Sequence, residues 1–186
     1  MDGQIIPSLA KKLGGKEPIF SSIRVASVAV IISDGDDPKT LLIRRAERGG
    51  DPWSGHIAFP GGKKEGGDKS ARETAIRETK EEIGVDLSVH ARFLGYFRSF
   101  RTHNGVMDVV PCIFFLERDV ELTPNPEVSS YRWVPLSIFA DPGAKTFYES
   151  PTTGTRTKMP ALTIGDYTVW GLTYRILSSL LMEEGE

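Results

Sequence analysis

Three glutamates, Glu78, Glu81 and Glu82, fall within five positions of the segment RETKEEIG (77–84). On a helix, residues three and four apart are neighbours at about 5–6 Å between Cβ atoms. Glu78 with Glu82, and Glu78 with Glu81, can therefore bring their carboxylates toward one point. Like charges held that close repel, and a hard divalent cation with oxygen ligands, Mg²⁺ or Mn²⁺, offsets the repulsion. The plain alternative is a solvated face. Glu73–Arg77 and Arg77–Glu81 are both i,i+4 pairs, and a salt-laced surface is the commoner outcome for a helix of this charge density. Context weakens that outcome: a Pro60-Gly61-Gly62 turn and a flexible loop stand directly before the helix and bring backbone groups near its acidic face. Arg77 then orients Glu81 or a loop carboxylate.

Other reactive side chains carry less. GKKEGGDKS (62–70) nearly spells a phosphate-cradling P-loop, but Asp68 stands where the lysine belongs and Lys69-Ser70 come one place late. An aspartate in the phosphate nest repels the ligand. Lys63, Lys64 and Arg45 could each bind phosphate, although an exposed cation is the ordinary role for any one of them. His56 and His103 lack companions of other ligand types and read as structural. Trp53 either stacks on a base or covers its loop. Glu127, held between Pro124 and Pro126, is a loop glutamate suited to act as a base or simply to be solvated. Cys112 sits in the apolar run VVPCIFFL and reads as a buried, inert thiol.

The elements that must position these residues are legible in outline. IRVASVAVIIS (23–33) is almost continuously apolar and β-branched, the pattern of a buried strand. TLLIRR is a second strand and HIAF a short third, stopped by Pro60-Gly61-Gly62. A helix over about 71–83 opens on the capping box Ser70…Glu73 and closes at Gly84, with Ala75, Ile76, Thr79 and Ile83 facing the core. Strands VHARFLGYFRSF and VMDVVPCIFFLE follow, joined through Asn104-Gly105, and Pro111 predicts an edge or a bulge. YRWV is a strand, LTIGDYTVW a hairpin about Gly165-Asp166, and 143–160 a long irregular loop. A short helix over 5–13 and a C-terminal helix over about 171–182 complete the chain. The result is a mixed α/β layer architecture of the α+β type, without regular βαβ alternation.

The 186 residues fit one domain (1–186, with 1–22 as an N-terminal extension), and 23 basic against 25 acidic residues leave no basic footprint for nucleic acid. No run approaches the ~20 apolar residues of a membrane span, and the N-terminus lacks a signal-peptide core. One cysteine forms no internal disulfide, so a reducing, cytoplasmic home is expected. Whether the chain is a monomer or a homodimer stays open.

From Gly62 through RETKEEIGV the sequence resembles the Nudix hydrolase signature, G-x₅-E-x₇-R-E-U-x-E-E-x-G-U with U apolar. Arg77, Glu78, Glu81, Glu82, Gly84 and Val85 fall in register; five fixed identities would coincide by chance about once in a million start positions. Two departures stand out. Asp68 occupies the glutamate position with eight residues before Arg77, one more than the signature, and Thr79 stands at an apolar position. Across most of the chain, LLIRR, GHIAFPGG, PNPEV…VPL and TVWGLTYRIL resemble the coenzyme A diphosphatase branch, whose pattern Arg45 also matches. In that comparison Ala46 replaces a serine and His56 a glutamine, beside the pocket.

The resemblance implies an α/β/α sandwich with a mixed sheet, a central acidic catalytic helix and a C-terminal helix. It implies hydrolysis of a nucleoside diphosphate linked to another group, assisted by Mg²⁺ or Mn²⁺. Glu78 and Glu82 would be metal ligands with the Gly61 carbonyl, while Glu81 would serve a second metal or take the proton from the attacking water. Glu127 is the candidate further base, Arg45 and Lys63 the phosphate contacts, and Arg77, Gly62 and Gly84 the orienting residues. Coenzyme A or a derivative is the leading substrate; ADP-ribose, dinucleotides and nucleoside triphosphates are alternatives, as is a nucleotide-binding module without turnover.

Overall fold

A long strand that is apolar at nearly every position needs cover on both faces, and the chain supplies a helix for each. The computed structural model describes residues 5–19, 24–33, 35–50, 53–103, 105–149 and 158–181. In chain order its elements are α1 (Ile5–Lys12), β1 (Arg24–Ser33), β2 (Lys39–Arg45), β3 (Ile57–Ala58), β4 (Gly61–Lys63), α2 (Ala71–Ile83), α3 (Leu87–His90) and β5 (Ala91–Tyr96). These are followed by β6 (Phe100–Arg101), β7 (Met107–Leu116), β8 (Val128–Pro135), β9 (Lys145–Glu149), β10 (Lys158–Ile164), β11 (Tyr167–Trp170) and α4 (Gly171–Leu181).

Along β1, Val28, Val30 and Ile32 face a core closed by Ile176, Leu177 and Leu180 of α4. Ala29 and Ile31 face the opposite core, closed by Ala71, Ala75 and Ile83 of α2. Each large side chain fully buried this way contributes about 1.5–3 kcal/mol. The expected layers, helix on sheet on helix, are those observed. Among the described residues no helix is long and apolar enough to cross a membrane.

The large sheet runs β3-β2-β1-β7-β5, with β4 added to β1, β8 to β2 and β6 to β7. β1 and β7 are parallel, from Arg24↔Met107 to Ser33↔Leu116; the other pairings are antiparallel. β2 meets β1 at Ile32↔Thr40, near the far end of β1. The near end pairs instead with β4, at Ala26↔Lys63 through Val28↔Gly61. One edge of β1 is thus shared by two strands that splay apart.

Several sequence expectations are corrected. Pro60-Gly61-Gly62 does not open a loop: Gly61–Lys63 is β4. Gly61 has φ +152°, and a Cβ on it would lie 2.3 Å from the Ser27 carbonyl oxygen, so only glycine can approach β1 this closely. The segment read as one strand from 89 begins with the short helix α3, capped by Asp86, whose side chain accepts from the Ser88 N–H. Pro111 lies in an inner strand, opposite the interruption between β5 and β6, where its carbonyl accepts from the Phe97 N–H at 2.9 Å. Within the segment read as an irregular loop, 145–149 form β9 and 158–160 begin β10, strands of a second sheet ordered β11-β10-β9; 150–157 lie outside the described residues. The hairpin about Gly165-Asp166 is as expected. Asn104 of the other expected turn lies outside the described residues.

Candidate active site

α2 begins and ends where its capping residues dictate. Ser70 Oγ accepts from the Glu73 N–H (3.2 Å), while Glu73 reaches back to the Lys69 N–H (2.8 Å), one residue before the cap. Glu17, from the segment after α1, accepts from the Ala71 N–H at 2.7 Å. At the other end Gly84 turns left-handed (φ +76°) and donates to the Lys80 carbonyl. Beyond it the chain folds back onto the helix: the Thr123 N–H donates to the Ile83 carbonyl (2.9 Å) and the Asn125 N–H to the Glu82 carbonyl (2.8 Å). These bonds satisfy the helix-end acceptors and bring Glu127 to the same place.

The three glutamates have unlike environments. Glu82 shares the core-facing side of α2 with Thr79 and Ile83 and is 3% exposed. Its Oε2 accepts from the Gly61 N–H at 2.8 Å. Burial pushes its carboxyl up to about 7, against the pull of that bond, with the negative charges of Glu78 and Glu127 adding to the rise and Arg45 opposing it. Glu78 is half-buried against Gly62, where a Cβ would lie 2.4 Å from the carboxyl carbon. Burial raises its carboxyl too, although Arg77 Nη1 stands 3.0 Å away. Glu81 points outward, its side chain 55% exposed, with Arg77 Nη1 at 3.2 Å.

Arg77 organises the preceding loop. Its Nε and Nη2 grip the two oxygens of Asp68 at 3.1 and 3.0 Å, and Nη2 also donates to the Lys63 carbonyl at 3.0 Å. Asp68 further accepts from the Glu65 N–H and the Thr74 hydroxyl. The Arg77 guanidinium holds Asp68 down to about 2, and Asp68 in turn holds Arg77 above its ordinary value. The carboxylate of the lengthened loop therefore positions Arg77, which in turn spans Glu78 and Glu81.

Arg45 ends β2 at a register break opposite Val128, and its charge reaches Glu82. The Glu127 carboxylate pairs with Arg48 Nη1 at 3.0 Å, while its backbone carbonyl accepts from the Ala46 N–H. Lys63 is exposed on β4 and meets the site through its carbonyl. His56 lies edge-on between Trp53 (5.8 Å) and Trp170 (4.8 Å), and Trp170 stacks on Tyr148 at 4.0 Å. His103 sits in an exposed turn, apart from these residues. Sequence reasoning did not reach Glu17, Arg48, Trp170 or Tyr148. Their roles depend on contacts with residues far along the chain, apart from Arg48, whose place three residues after Arg45 in RRAER was a usable signal.

Among the described residues no three His, Cys, Asp or Glu side chains form a closed metal cage. The arrangement fits a cation of another kind. Mg²⁺ commonly takes one or two carboxylates and completes its shell with water and substrate phosphate. Two neighbouring carboxylates raised by burial, one cradled in the space that a Cβ on Gly62 would fill, suit that ion.

Comparison with known proteins agrees with this geometry. The family model of the NUDIX domain matches residues 23–151. An uncharacterized protein of Schizosaccharomyces pombe is 37% identical over 147 residues, 66% of this chain and 45% of that protein. Nudix hydrolase 22, chloroplastic, of Arabidopsis thaliana is 30% identical over 169 residues, 86% of this chain and 55% of that protein. A peroxisomal coenzyme A diphosphatase of Caenorhabditis elegans is 33% identical over 119 residues, 62% and 50% of the two chains. The chain spans about half the length of these curated relatives. Among solved structures, a MutT/nudix family protein from Enterococcus faecalis shares the fold with a TM-score of 0.57 at 21% identity, over 87% of this chain and 62% of that one. With the signature residues of α2 gathered against Gly61 and Gly62, and the match extending over 23–151, the chain belongs to the NUDIX domain family.

Proposed function

We propose that this protein hydrolyses the diphosphate of a nucleoside diphosphate linked to another group, with coenzyme A or a derivative as the leading substrate. The products would be 4′-phosphopantetheine and adenosine 3′,5′-bisphosphate. The observation that carries the chemistry is the pairing of buried Glu82 with half-buried Glu78 beside the glycines of β4. Two carboxylates held up by burial attract a compensating charge, and Glu78, Glu82 and the Gly61 carbonyl are the residues that would hold it. A bound Mg²⁺ or Mn²⁺ supplies phosphate neutralisation and acidifies a water. Arg45, at the end of β2, would bind a phosphate oxygen, with exposed Lys63 at the rim. Exposed Glu81 is suited to take the proton of the attacking water. Glu127, the further base, would have to leave Arg48 to do so.

The substrate reading is supported by LLIRR, GHIAFPGG and WGLTYRIL and by the coenzyme A diphosphatase among the relatives. A reducing compartment such as the cytoplasm suits the single buried thiol. The test is incubation with coenzyme A, ADP-ribose, NADH and dinucleoside polyphosphates, with Mg²⁺ or Mn²⁺, and chromatography of the products. Coenzyme A is expected to turn over fastest. Preference for another of these would replace the substrate, and no turnover of any would sink the hydrolase reading.

A further inference from the structure

A second concentration of charge, opposite in sign to the acidic helix, lies on the other face of the large sheet. Arg98, Phe100 and Arg101 follow β5, and Arg175, Ser178 and Ser179 project from α4; together they line a cavity of about 310 Å³. Phe100 is buried, and its ring carries two guanidiniums: Arg98 Cζ lies 5.3 Å and Arg175 Cζ 5.7 Å from its centroid. Arg98 Nη2 donates to Ser179 Oγ (2.9 Å), and Arg175 Nη1 to the Arg101 carbonyl (3.2 Å). Both partners are neutral. Among the described residues neither Arg98 nor Arg175 forms an ion pair with a carboxylate, and the nearby Asp108 is engaged by Arg101 Nε at 3.3 Å.

Ser178 also lines the cavity, and its Oγ is buried and makes no hydrogen bond among the described residues. A buried hydroxyl left this way costs about 1–3 kcal/mol. The plain account of basic residues at this end of α4 is that they complement its terminal carbonyls. Lys12 already does that, with Nζ 3.3 Å from the Ser179 carbonyl and 3.1 Å from that of Leu180. Arg98 and Arg175 bind neither carbonyl. Planar forks on a shared ring match the oxygens of a phosphoryl group, and a volume at the lower end for ligand pockets suits one phosphate with a small appendage.

We propose that this cavity binds a phosphoryl anion, either inorganic phosphate or the phosphate of a small monoester. The site is separate from Glu78 and Glu82 and does not depend on the hydrolase reading. The test is calorimetric titration of the full chain with inorganic phosphate and, separately, with glycerol phosphate, in EDTA and with ionic strength fixed by KCl. Saturable one-site binding of either is expected. Arg98→Gln/Arg175→Gln should weaken it about tenfold or more, and Glu82→Gln not at all. Tighter binding of phosphate would identify the free ion as ligand; tighter binding of glycerol phosphate would identify an ester. Absence of saturable binding at millimolar concentrations overturns the proposal. Equal binding by a folded double variant, or loss of binding in Glu82→Gln, overturns it too.

Discussion

The carboxylate of Glu78 occupies the space that a side chain on Gly62 would need, with the position of a Cβ only 2.4 Å from Glu78 Cδ. The neighbouring Gly61 has no such flexible opponent: its Cβ would meet the backbone of Ser27 and Val28 at 2.3 and 2.6 Å. The two glycines therefore serve different ends. Gly62→Ala should move Glu78 aside with a stability loss within about 1 kcal/mol and a fall in kcat of about tenfold or more. Gly61→Ala should instead destabilise the fold by about 3 kcal/mol or more. Urea unfolding beside steady-state kinetics separates the two, and equal stability losses would contradict the distinction.

Asp68 is expected to matter to stability as well as to activity. Its folded value of about 2 lies below the ordinary 3.8, so the ionised form is favoured by folding. That contribution is present above pH 3.8 and is lost as pH falls toward 2. Asp68→Asn should cost about 1–2 kcal/mol at pH 7, with the difference from wild type closing below pH 3. Because Asp68 holds Arg77, and Arg77 spans Glu78 and Glu81, kcat should fall with it. Chemical denaturation across pH reads the first effect.

Glu82 has the opposite sign. Its folded value, about 7, stands above the ordinary 4.5, so the metal-free fold loses stability as pH rises from 4.5 through 7. Glu82→Gln keeps an acceptor for the Gly61 N–H and removes the charge. Without divalent ions at pH 8 it should be more stable than wild type by about 1–3 kcal/mol, yet inactive. Added Mg²⁺ should raise the Tm of wild type and leave the variant unmoved; an active variant would refute the ligand assignment.

Cys112 is fully buried, with Sγ 3.3 Å from Ser27 Oγ, and burial pushes its thiol up to about 12. Thiol reagents at pH 8 should leave the native chain unlabelled and modify it once unfolded, as read by intact-mass measurement.

What the sequence conveyed was governed by side-chain pattern. α2 was legible to the residue, because Ser70 and Gly84 mark its ends and its apolar positions recur at helical spacing. The grouping of Glu78, Glu81 and Glu82 followed from that helix, while their reading as a cation site needed the Pro60-Gly61-Gly62 turn and the resemblance to the family signature. β4 was hidden, since a three-residue strand begun by two glycines has no alternating side chains to read. β9 was hidden for a related reason: its exposed and half-buried residues, Lys145 to Glu149, resemble loop composition. The sequence offered Glu81 or a loop carboxylate as the partner of Arg77 without choosing between them; Arg77 grips Asp68, the residue that departs from the signature, and also contacts Glu81. Geometry also separated three glutamates that the i,i+3 and i,i+4 spacing had grouped together: Glu82 buried, Glu78 half-buried, Glu81 exposed.

The bond from the Ala71 N–H to Glu17 joins the first turn of α2 to a residue six places before the family match begins at residue 23. A recombinant fragment cut at that boundary would keep every signature residue and still lose an anchor of the helix that carries them. Amide exchange at Ala71 should then accelerate while Gly84 stays protected, so α2 would fray from the end nearest its loop.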